Sequence, residues 1–142
     1  MLIAGSRTAE AQIMKKRIAV EGLRKEIVSL ICEILERLDY DICYRHESAY
    51  RKTSDCVFDL LEDLSGIVKN IVDSQPDLTI ICNARGYLPL FEHYSETTDI
   101  PFLVLTGGGP DLIDEVKRYT PNVLDVPFRM QELSDKLEEI LG

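Results

Sequence analysis

The stretch Pro76–Pro110, PDLTIICNARGYLPLFEHYSETTDIPFLVLTGGGP, restricts the possible folds more than any other part of the chain. It holds two short apolar runs, Leu78–Cys82 and Phe102–Leu105, each closed by a polar or glycine-containing turn. Apolar runs of this length between turn signals predict strands buried on both faces. Such strands belong in a parallel sheet covered by helices. Ligands and chemistry collect beyond the carboxyl ends of such strands. Cys82 and Thr106, at the ends of the two runs, therefore mark where a site is expected.

The rest of the chain alternates in the same way. Ile18–Val20 predicts a first strand, with Glu21 and Gly22 at its carboxyl end. Ile27, Leu30, Ile31, Ile34, Leu35 and Leu38 step at helical spacing and predict one buried helix face. Ile42–Tyr44 reads as a second strand and His46–Thr53 as a polar loop. A long helix is expected from Ser54 or Asp55 to Asp73, its apolar face running from Val57 through Leu60, Leu61 and Leu64 to Val72. Leu88 opens a short helix, with Pro89 tolerated in its first turn. Pro110 opens another, through Tyr119. Val123–Val126 is the last strand, and Met130, Leu133, Leu137, Ile140 and Leu141 form the stripe of the last helix. The sum is an α/β domain, (βα)5, with a doubly wound parallel five-stranded sheet in the order 2-1-3-4-5. Residues 1–14 read as an N-terminal extension and 15–142 as one domain.

Composition narrows the function. The 142 residues carry a formal net charge of -9, which disfavours nucleic acid. The basic group Lys15-Lys16-Arg17 with Arg24-Lys25 reads as a solvated face. Four cysteines without paired spacing suit a reducing cytoplasm, and Cys43-x-x-His46 is half of a metal site with no second half. No apolar run is long enough for a membrane span.

At this point the sequence resembles the receiver domain of response regulators. Pro76–Ile81 matches that family's run into its third strand. Ile100–Thr106 matches the fourth strand with its terminal hydroxyl. Val126-Pro127-Phe128 followed by Glu132-Leu133 matches the turn into the last helix. The resemblance implies a flavodoxin-like, receiver-like fold. It also implies phosphoryl transfer from a histidine kinase to an aspartate, assisted by a Mg²⁺ ion, a hydroxyl and a lysine.

The sequence departs from that set at the positions that carry the chemistry. Cys82 stands where the accepting aspartate would be, and the acidic pair after the first strand is reduced to Glu21 followed by Gly22. Val126 replaces the lysine, while Thr106 keeps the hydroxyl. The expectation is a pseudo-receiver with a degenerate phosphoacceptor site. It would have no catalytic residue and no cofactor, Glu21 being only a weak candidate for Mg²⁺, and it would act by protein–protein contact. The partner, a signalling protein or a second copy, would dock through Asp111–Tyr119, the last strand and Met130–Leu141. No DNA-binding output domain is expected after the last helix. Two alternatives stand beside this: a phosphorylated receiver with an atypical site, and a small enzyme or ligand-binding protein using Cys82 and the loop Gly107, Gly108, Gly109.

Overall fold

The first strand, β1 (Arg17–Gly22), is buried from Ile18 onward, as a central strand must be. It is followed by α1 (Lys25–Arg37), β2 (Asp41–Glu47), β3 (Tyr50–Lys52), β4 (Phe58–Leu60) and α2 (Leu64–Asp73). Then come β5 (Leu78–Cys82), α3 (Leu88–Thr97), β6 (Phe102–Thr106), α4 (Pro110–Val116), β7 (Val123–Asp125) and α5 (Met130–Leu141). This computed structural model describes residues 15–53, 58–82, 87–107 and 109–142. The 1–14 extension, Cys56, Arg85 and Gly108 lie outside the described residues.

Five strands form one parallel sheet in the order β2-β1-β5-β6-β7. This is the predicted 2-1-3-4-5 arrangement once a small hairpin is set aside. Strand alternation divides the core into two layers. Ala19, Ile81 and Val104 meet α2, α3 and α4 through Ile67, Ile71, Phe91 and Val116. Ile18, Val20, Ile80, Cys82 and Leu103 meet α1 and α5 through Val28, Leu35, Leu133 and Leu137. In the first layer Tyr94 donates its hydroxyl to Thr79 Oγ1 at 2.9 Å, so both buried polar atoms are satisfied.

Helix α1 carries Glu26 in its first turn and Arg37 in its last, each at the end the helix dipole favours. Arg37 also pairs with Glu33 one turn earlier, at 2.8 Å. The helix gives way at Asp39, which takes a left-handed φ of 70°. At the amino edge of the sheet, Asp77 accepts a hydrogen bond from the Arg17 backbone N–H at 2.8 Å. Asp77 is therefore at the far end from any strand-terminal chemistry.

Several expectations are corrected. The long helix from Ser54 or Asp55 is only α2, ten residues, and it starts at Leu64. Phe58–Leu60 instead pairs antiparallel with Tyr50–Lys52, inside what reads as a polar loop and a helix start. Leu61 N–H bonds to Ala49 O at 2.9 Å and extends that pairing. Leu60 and Leu61 fit helical spacing, but cross-strand pairing overrides a short apolar pattern. Strand β2 is also longer than Ile42–Tyr44, because it pairs with β1 to the very end, Gly22 opposite Glu47. Helix α4 stops at Val116 rather than Tyr119, and Val126 lies just past β7. The α1 face is narrower than its pattern: Val28, Ile31, Cys32 and Leu35 are buried, while Ile27 and Leu30 are 40% and 52% exposed. Met130, expected in the α5 stripe, is 45% exposed.

The two leucines of α1 provide a test. Leu35→Ala should lower stability by about 2–5 kcal/mol. Leu30→Ala should shift it by no more than about 0.5 kcal/mol. Urea unfolding followed by circular dichroism reads both, and equal losses would contradict the assigned face.

Candidate functional site

Along the carboxyl edge of the sheet, Glu21, Cys82, Thr106 and Val126 follow one another across adjacent strands, as the sequence predicts. Their side chains do not form one site. Glu21 alternates with Val20 and shares the layer of Ala19 and Ile81, whereas Cys82 packs in the layer of Ile80 and Val20. The sheet thus separates the acid from the thiol.

Glu21 is fully buried. Its carboxylate accepts hydrogen bonds from Tyr44 Oη at 3.0 Å, Ser48 Oγ at 2.7 Å and Tyr87 Oη at 2.7 Å. His46 Nδ1 completes the set, 2.9 Å from Oε1 and 3.2 Å from Oε2. Tyr44, His46 and Ser48 are two residues apart, so an extended chain presents all three to one side. The β1–β2 register places His46 directly opposite Glu21. The other imidazole nitrogen, Nε2, lies 3.2 Å from Glu62 Oε1. Glu62 in turn accepts the Ala49 N–H, tying the β3–β4 hairpin to the edge.

The electrostatics follow from this shell. Burial alone would lower the His46 pKa. The hydrogen bond and charge of Glu21, reinforced by Glu62, outweigh it and raise His46 above the ordinary imidazole value. Burial, with the Glu21 charge next, drives the Tyr44 and Tyr87 hydroxyls far upward, so both remain donors. The sequence reading places His46 in a polar loop and in the half-motif Cys43-x-x-His46, and it does not reach the Glu21–His46 pair. The i, i+2, i+4 run Tyr44-Arg45-His46-Glu47-Ser48 was the available signal.

Cys82 is 2% exposed. Burial first, then Cys32 and Glu21, push its thiol up to about 12. Gly22 sits between the two layers. A Cβ there would fall 2.6 Å from Val28 Cγ2 and 3.2 Å from Cys82 Cβ, so the room for a side chain at position 22 is already filled. Thr106 is buried at the end of β6, and its carbonyl accepts the Val126 N–H at 2.8 Å. Val126 is 43% exposed. In the glycine loop, Gly109 takes φ 87° immediately before Pro110, the one place in that loop where a described backbone angle favours glycine. Cys43 is engaged elsewhere, donating to Ser74 Oγ at 3.7 Å, so the half-motif Cys43-x-x-His46 is not assembled. Among the described residues no group of three or more His, Cys, Asp or Glu could hold a metal ion.

No family model and no curated protein matches the chain. Solved structures do. Chemotaxis response regulator CheY4 of Vibrio cholerae superposes with a TM-score of 0.65 at 14% identity, over 90% of this chain and 100% of that one. NtrX from Brucella abortus gives 0.68 at 16% identity, over 90% of this chain but 27% of that one. Anti-anti-sigma factor PhyR from Bartonella quintana gives 0.67 at 11% identity, over 99% and 53%. The chain therefore has the flavodoxin-like receiver fold, and it spans about a quarter to a half of the two larger neighbours. No helix among the described residues is long and apolar enough to cross a membrane.

The raised His46 pKa makes stability pH-dependent with a defined sign. The folded state holds the proton above the unfolded value of about 6.5. The stabilisation is therefore complete below that pH and is lost as pH rises through the higher folded value. Urea unfolding should show stability falling on that upward course. His46→Gln should flatten the slope, and an unchanged slope would contradict the pairing. Because His46 is about one-third exposed, solvent screening keeps the effect modest.

Proposed function

We propose that this chain is a receiver-like signalling domain that works in the cytoplasm by protein–protein contact, without aspartyl-phosphate chemistry. One observation carries this reading. The position of the phosphoryl acceptor is held by Cys82, a buried thiol pushed up to about 12 on the face of the sheet away from the buried acid. A nucleophile must be both reachable and deprotonated, and this thiol is neither.

The neighbouring residues support the same conclusion. A Mg²⁺ ion needs oxygen ligands with free lone pairs. Both Glu21 oxygens already accept from Tyr44, His46, Ser48 and Tyr87. Sulfur at Cys82 is a poor magnesium donor. Val126 supplies no charge where the family uses a lysine. The residues present do not fit the ion, and no step is assigned to it.

The binding surface we favour is the one formed by α4, β7 and α5. Strand β7 is an edge of the sheet, and Leu112, Val116, Leu133 and Leu137 anchor the two helices beneath. Outward positions are largely acidic, among them Asp111, Asp114, Glu115, Asp135, Glu138 and Glu139. A signalling partner with a basic face suits this surface better than a second acidic copy does. The enzyme alternative loses its nucleophile with the burial of Cys82. The ligand-binding alternative keeps one supporting observation, because Cys82 and Gly107 line a common pocket.

The test is an amide NMR spectrum of the full chain with and without Mg²⁺ plus beryllofluoride, a mimic of the aspartyl phosphate. No saturable, magnesium-dependent shifts should appear at Glu21, Cys82 or Thr106. Saturable shifts there would establish a working phosphoacceptor site and overturn the proposal.

A further inference from the structure

The pocket shared by Cys82 and Gly107 lies on the α1–α5 face of the sheet and encloses about 240 Å³. Its floor is Cys82 and Leu105, both buried. Ile27 and Leu30 line it from α1, and Val126 and Phe128 from the segment after β7. Three of the six large apolar side chains exposed among the described residues, Ile27, Leu30 and Val126, are on these walls. A surface that concentrates its exposed aliphatic groups around a cavity marks a binding site rather than random surface.

Two features define the ligand. Gly107 keeps the cavity open: a Cβ there would lie 2.9 Å from Val126 Cγ2. Among the described residues lining it, Arg24, just ahead of α1, is the charged one. Among the described residues Arg24 forms no ion pair, so its guanidinium is available to an anion. In a chain of net charge -9, a cation beside an apolar cavity, with Lys25 next to it in the chain, favours a ligand with an anionic head and an aliphatic tail. The volume is smaller than the usual range for drug-sized ligands, which points to a short tail.

We propose that this pocket binds a medium-chain aliphatic carboxylate, its tail between Ile27, Leu30 and Val126 and its head group on Arg24. The inference goes beyond the signalling role proposed above: the pocket shares Cys82 and Val126 with that reading but needs neither a signalling partner nor the loss of phosphotransfer. A carboxylate meeting a guanidinium forms a charge-assisted hydrogen bond, and each methylene of the tail adds apolar burial.

Titration of the full chain with octanoate, followed by amide NMR, tests the site. Saturable shifts should centre on Ile27, Leu30, Cys82, Gly107 and Val126. Hexanoate, two methylenes shorter, should bind about fifteenfold more weakly. Octanol should bind at least about tenfold more weakly, because it lacks the charge. Arg24→Gln should weaken octanoate by about tenfold and leave octanol unchanged. Gly107→Val should abolish binding by filling the cavity. Leu30→Asp, at an exposed position that leaves the core intact, should do so by repelling the ligand. Octanol binding as tightly as octanoate, equal binding to wild type and Leu30→Asp, or no saturable shift would each overturn the proposal. The last outcome would leave the cavity to a side chain of a protein partner. Cys82 reports in both experiments, but the beryllofluoride shifts require Mg²⁺ and centre on Glu21 and Thr106, whereas the octanoate shifts need no metal and centre on Ile27 and Leu30, so failure of one reading is distinguishable from failure of the other.

Discussion

A carboxylate buried without partners costs several kcal/mol, and the carboxyl edge of this sheet is arranged around meeting that demand at Glu21. Three donors come from the chain at and just beyond the end of β2, and the fourth from Tyr87 at the start of α3. The requirement accounts for local features that otherwise look unrelated. Strand β2 continues to Glu47 because Tyr44 and His46 must lie alongside β1. Ser48 stays against the edge because its N–H bonds to Gly22 O at 2.9 Å. The β3–β4 hairpin is held there through Glu62, which faces the second nitrogen of His46. Acid, imidazole and second acid thus form a chain of alternating charge between the sheet and its hairpin.

Such a network holds the ends of β1 and β2 and the start of α3 together. An acid that must release its lone pairs to a metal has to be partly free, whereas this one is saturated. The sheet also splits the functions that a receiver fold gathers at its edge. Polar groups collect on the α2–α4 side under Tyr87, and an apolar cavity with a single cation opens on the α1–α5 side. One backbone arrangement therefore places a buried polar cluster on one side of the sheet and an apolar cavity on the other.

The main architecture was legible in the sequence because its signals are periodic and local. Runs such as Leu78–Cys82 and Phe102–Leu105, Pro110 opening a helix, and the Leu133/Leu137 spacing each specify an element and its buried side. The hairpin was not legible. Leu60 and Leu61 fit a helix continuing into α2, and only pairing with Tyr50–Lys52 decides otherwise. The exposure of Ile27, Leu30 and Met130 was also hidden, because periodicity shows an apolar face without showing how much of it is covered. That Glu21, Cys82 and Thr106 stand at strand ends could be read from the sequence, but their division between two faces depends on strand register. The Glu21–His46 contact joins residues 25 positions apart and exists only through that register.

The crowding at Gly22 has a consequence for how this chain can change. In the receiver pattern, an acid at that position belongs to the magnesium pair. Here its Cβ would press on Val28 and on Cys82, the residue standing in for the acceptor. An acid at position 22 is thus sterically opposed by the packing of Val28 and Cys82. A side chain at Gly22 would need Val28 to yield first, since its Cγ2 lies 2.6 Å from where the Cβ would stand. Position 22 is therefore coupled to Val28 and Cys82, and a side chain there can be accommodated only if one of them moves.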